Sequence, residues 1–141
     1  MKYYTMRVWE GDGTFRLSRT VSEDDLSWET SVFEEDGCAV EVSPLWETPA
    51  LALCEGRHTF PVTVKRAIFP ATVDPTSTRS LDLAARRVLR AYHKQTIVIY
   101  VTGLTAALIA ALNVCREYQI SVTLMHYNRE TGEYYPQEVY Q

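Results

Sequence analysis

Apolar and polar positions change their period along the chain. Lys2–Glu10 (KYYTMRVWE) is rich in aromatic and β-favouring residues, and Thr14–Thr20 alternates Phe15 and Leu17 with Arg16 and Ser18. Gly11-Asp12-Gly13 lies between them, so a β-hairpin is predicted. Ser22–Glu29 reads as one helical turn with a serine cap and early acidic residues. After a turn at Asp36-Gly37, Cys38–Val42, Leu51–Leu53 and Phe60–Phe69 read as strands. Pro44 and Pro49 make the stretch between the first two of these loop-like.

Beyond residue 60 the period lengthens. Ser80 is the expected cap of a helix from Leu81 to about Lys94, with an apolar stripe of Leu81, Ala85, Val88 and Tyr92. Asp82, Arg86, Arg90 and Lys94 form its solvated stripe. Thr96–Val101 is a continuous apolar run, the pattern of a strand buried on both faces. A second helix is expected from Thr105 to Tyr118; its AALIAAL core calls for broad burial or an interface. Ile120–Tyr127 and Tyr134–Tyr140 close the pattern as strands joined by a turn. The order β-α-β-α-β-β implies a parallel sheet with right-handed crossovers. The expected fold class is α/β: a Rossmann-like core over 61–141, with an antiparallel β-rich segment over 1–60 packed on it, in one domain.

Composition changes little in this picture, but charge does. The chain has 141 residues, 46% hydrophobic and 23% charged, as a globular domain does. Residues 1–60 hold 5 Lys/Arg against 12 Asp/Glu, and residues 61–141 hold 9 against 6. The net charge of −4 therefore hides an acidic half and a basic half. It argues against general duplex-DNA binding. Three scattered cysteines make no disulfide framework, and no CxxC or clustered histidines suggest a metal. The longest apolar stretch, Ile97–Leu112, is too interrupted to span a bilayer. A cytoplasmic protein without metal or cofactor is expected.

In open α/β sheets ligands sit beyond the carboxyl ends of the parallel strands. Three loops are expected there. Thr102-Gly103-Leu104-Thr105 joins a strand to a helix start, whose free N–H groups favour an anion. It matches neither GxxxxGK[ST] nor GxGxxG, and Thr102 or Thr105 also suits plain helix capping. Thr78 and Arg79 suit a phosphate clamp or a solvated loop. His126 suits a general acid or base, Arg129 a phosphate contact and Asn128 a base-edge contact; the same stretch through Gly132 also reads as a hairpin turn.

The segment Val98–Leu108, with Thr102-Gly103-Leu104-Thr105 at its centre, resembles the strand, TGGT loop and alanine-rich helix of CRISPR-associated Rossmann-fold domains. The resemblance implies a pocket for cyclic oligoadenylates, built across a homodimer and used in antiviral defence or its suppression. It carries over to Thr102, Gly103 and Thr105. Leu104 replaces the second glycine, and Ala106 stands where a phosphate-binding lysine often follows. Ligand binding, as sensor or sponge, is therefore expected before metal-independent ring cleavage, for which His126 and Arg129 are the catalytic candidates. A second expectation comes from the acidic half: an interaction or inhibitor protein that docks on a basic partner without a small ligand.

Overall fold

A computed structural model describes residues 2–56 and 59–139. They fall into two compact units, divided between Thr48 and Pro49.

The first unit is an antiparallel sheet with one helix. Strands β1 (Tyr3–Trp9) and β2 (Phe15–Ser22) form the expected hairpin. Its turn is set by Gly13 at φ +89 and by Asp12, whose Oδ1 accepts from the Thr14 N–H at 2.9 Å. Helix α1 (Glu23–Glu35) leads to β3 (Ala39–Pro44), which pairs with the other side of β1. The sheet order is β2-β1-β3. Met6, Val8, Val21, Phe33 and Cys38 form the core. Two guanidiniums flank the Phe33 ring, Arg16 at 5.2 Å and Arg19 at 5.6 Å. Arg19 also pairs with Glu29 at 2.7 Å. The single helical turn expected after Ser22 is thus a helix of 13 residues.

The second unit is a five-stranded sheet in the order β5-β4-β6-β7-β8. Strands β4 (Ala50–Cys54), β5 (Arg66–Phe69), β6 (Thr96–Tyr100) and β7 (Ser121–Asn128) are mutually parallel. Only β8 (Glu133–Glu138) is antiparallel, as the return arm of a hairpin. Tyr140, the expected end of that strand, lies outside the described residues. Helix α2 (Thr78–Leu89) links β5 to β6, and α3 (Thr105–Glu117) links β6 to β7. The expected β-α-β-α-β-β order is present. One strand differs in its place: β4 belongs to the parallel sheet, not to the antiparallel segment over 1–60. The Phe60–Phe69 strand shortens to Arg66–Phe69. Pro61 removes an N–H donor, and the ladder with β4 begins only at Arg66, opposite Leu51.

The two helices pack side by side on one face of this sheet. Leu51, Leu53, Ile97, Ile99, Val122 and Leu124 point toward them and meet Leu81, Ala85, Leu89, Ala107, Ala111 and Val114. The α2 stripe of Leu81, Ala85 and Val88 is buried as its period requires. Arg86 from α2 bonds Asp82 on its own helix and Glu117 on α3, tying the pair together. Ile109 on α3, and Leu104 just before it, stay exposed, so the helix is not buried all round.

Candidate functional site

The order of the strands positions the site. From β4 the chain crosses to β5 on one side, and α2 then carries it past β4 to β6 on the other. Such a reversal of direction leaves a crevice beyond the carboxyl ends of the two central strands. Here those strands are β4 and β6, and both α2 and α3 begin at this edge of the sheet.

Thr102 follows β6 at this edge of the sheet. It is buried, and its hydroxyl bonds both backbone groups of Cys54, accepting from the N–H at 3.3 Å and donating to the carbonyl at 3.2 Å. This joins the loop after β6 to the end of β4, where the ladder between the strands has stopped. Gly103 follows at φ +92. A Cβ there would lie 3.8 Å from the Cys54 Sγ, an ordinary contact, so backbone conformation rather than space requires glycine. Leu104 is the N-cap of α3, in extended conformation and with no side-chain cap. The first helical bond runs from the Leu108 N–H to the Leu104 carbonyl. The N–H groups of Thr105, Ala106 and Ala107 precede it and receive no capping oxygen from the N-cap side chain. Capping by Thr102 or Thr105, the alternative expected from sequence, is not what these residues do.

Cys54 is the residue that sequence reasoning missed. It ends β4, is half-buried, and lies against Gly103. Burial pushes its thiol up, while the Leu104 N–H directed at the sulfur pulls it the other way. Nothing in the sequence marks it until the pairing of β4 with β6 is known.

Thr78 and Arg79 are the first two residues of α2 and are exposed. The helix starts three residues earlier than Leu81, and Ser77, not Ser80, is its N-cap. Ser80 falls within the first turn and accepts a hydrogen bond from the Ser77 hydroxyl at 2.8 Å. Ahead of it, Asp74 Oδ1 accepts from both the hydroxyl and the N–H of Thr76, which lowers the Asp74 pKa.

His126 and Asn128 lie within β7, which runs two residues beyond His126. The imidazole Nε2 is 2.7 Å from Gln137 Oε1, and the ring sits 5.4 Å from Tyr135. Asn128 Oδ1 accepts from the Glu130 N–H, and the Asn128 carbonyl from the Gly132 N–H, with Gly132 at φ +74. Arg129 is exposed in that turn. The hairpin-turn reading therefore describes this stretch. Among the described residues no hydrogen bond or ion pair joins His126 or Arg129 to the Thr102 loop.

The sheet face away from the helices carries aromatic rings. Tyr100 meets Phe60 at 4.9 Å and Tyr134 at 5.0 Å, and Tyr127 meets Tyr134 at 5.3 Å. Burial, with Tyr134 adding to it, pushes the Tyr100 phenol up to about 12.

Among the described residues no group of three or more His, Cys, Asp or Glu side chains is placed to hold a metal, and no helix is long and apolar enough to cross a membrane. Set against family models, curated proteins and solved structures, the chain matches none of them.

Proposed function

We propose that this chain binds a phosphate-bearing nucleotide at the crevice between β4 and β6, and that its second unit works as a Rossmann-like binding module. One observation carries the reading: the loop after β6 is pinned to β4 by Thr102, and the helix start it presents has no side-chain cap. The N–H groups and dipole of that helix end favour an anion, and strands fixed on both sides pre-organise it. The basic balance of residues 61–141 adds positive potential.

The ligand class is a cyclic oligonucleotide of the oligoadenylate kind, held between two copies of the chain. The resemblance of Val98–Leu108 supports this choice. A sensor or sponge fits the geometry better than a ring nuclease. The His126 Nε2 is bonded to Gln137, and Arg129 occupies a hairpin turn rather than the crevice. Thr78 and Arg79, at the start of α2, are the remaining candidates for phosphate contact on this edge.

Thermal denaturation in the presence of cyclic tri-, tetra- and hexa-adenylate, their linear forms and mononucleotides tests the reading. At least one should raise Tm by ligand linkage. Thr105→Glu places a carboxylate on the helix N-terminus, which suits the helix dipole but repels an anion. That variant should keep its fold and lose the shift. No shift with any member of the panel overturns the reading.

A further inference from the structure

Two exposed helix stripes, one acidic and one basic, span the same length of helix. On α1, Asp24, Trp28, Val32 and Glu35 recur at intervals of four, four and three residues and face outward. Trp28 is 71% exposed and Val32 38%; these are apolar side chains that the fold does not bury. On α2 and the 3-10 turn after it (Arg90–Tyr92), Arg79, Leu83, Arg87 and Arg90 recur at the same intervals. All four are exposed, Leu83 at 51%. Each stripe thus has apolar surface between charged ends, and the charges are opposite. Among the described residues no ion pair engages Asp24, Glu35, Arg79, Arg87 or Arg90.

The helix dipoles point the same way. Helix α1 ends in Glu34 and Glu35 with no basic residue in its last turn, so its carboxyl end is negative twice over. Helix α2 begins with Thr78 and Arg79 and has no acidic residue in its first turn. Each helix carries one end that its own dipole disfavours. Laid antiparallel, the acidic end of α1 meets the amino end of α2. Glu35 then lies beside Arg79 and Asp24 beside Arg90, Leu83 meets Val32, and Arg87 lies over Trp28.

We propose that α1 of one copy docks antiparallel on α2 of a second copy. The occupant is a second copy because the complementary stripe is on this chain, with equal length and opposite charge. The proposal stands apart from the nucleotide reading and uses none of the residues of the Thr102 loop.

Sedimentation velocity of the full chain at low and high salt tests it. At low salt and high protein concentration the wild type should sediment at twice the 16.1 kDa chain mass, and high salt should dissociate it. Asp24→Lys/Asp25→Lys alone and Arg87→Glu/Arg90→Glu alone should each be monomeric with an unchanged circular dichroism spectrum. Mixed one to one, they should pair again, because each reversed stripe finds its complement on the other variant. If either reversal misfolds, Leu83→Ser should reproduce the loss of pairing in a folded chain. A monomeric wild type at every salt concentration overturns the proposal. So does a pair that survives both reversals, or a mixture of folded variants that stays monomeric.

Discussion

The hydroxyl of Thr102 replaces one rung of the ladder between two parallel strands: it accepts from the Cys54 N–H and donates to the Cys54 carbonyl. β-Sheet pairing between β4 and β6 ends at Ala52 and Tyr100, so this side chain extends the join two residues further. Removing the hydroxyl leaves two backbone groups without partners in a part-buried setting, a cost of about 1–3 kcal/mol. Thr102→Val should therefore lower urea stability by that amount and weaken nucleotide binding, while Thr102→Ser should retain both. A Thr102→Val chain as stable as wild type would show that water replaces the hydroxyl.

Arg86 makes a second such join, between α2 and α3, through Glu117 and Asp82. Its guanidinium holds the Glu117 carboxyl below its ordinary range. A lowered carboxyl pKa adds stability above the unfolded value that is lost as the pH falls. The groups are solvent-exposed, so the effect should be small and screened by salt. Glu117→Gln should flatten the acid limb of a Tm–pH curve at low ionic strength. An unchanged acid limb would mean the contact contributes nothing.

The alkaline limb should be steeper. Burial raises the Cys115 thiol from 9.0 to about 12, and the Tyr100 phenol from 10.0 to about 12. Both stay protonated in the fold while the unfolded chain ionises, so their stability is full below about pH 9 and is lost between about pH 9 and 12. Each group contributes a slope of about 1.4 kcal/mol per pH unit within its window. Tyr100→Phe keeps the ring against Phe60 and Tyr134 but should remove the phenol's share of the slope above about pH 10, leaving that of Cys115. The measurement is chemical denaturation across the alkaline range, starting below the ordinary thiol pKa.

Cys54 offers a reporter inside the candidate site. Cys38 and Cys115 are buried, and Cys54 is half-buried beside Gly103. Alkylation of the native chain should therefore occur first at Cys54, slowly at neutral pH because burial raises its pKa. A bound nucleotide should slow it further. Mass spectrometry of the labelled peptides checks both points. Equal labelling of Cys54 with and without a ligand that raises Tm would move that ligand elsewhere.

The periodic elements are legible from sequence and the ones without period are not. Leu81, Ala85 and Val88 on α2, and the apolar run of β6, announce their burial directly. Helix α1 shows no more than a single turn in its sequence because only Phe33 among its residues is buried; Trp28 and Val32 face outward and blur the stripe. Strand β4 is legible as a strand but not as a sheet partner. The described part of its connection to β5 has no helix to signal a parallel crossover. The Thr102 loop stands out through its strand–glycine–helix context. Its partner Cys54 lies 48 residues away, and only the fold brings the two together.

The proposed site for an anionic nucleotide is the amino end of α3. Backbone amide shifts, followed by 1H–15N NMR while the ligand giving the largest Tm rise is titrated, test it most directly. The largest changes should fall on Gly103–Ala107 and Cys54, and Thr105→Glu should abolish them. Saturating changes confined to α1, or to the β7–β8 turn around Arg129, would contradict it.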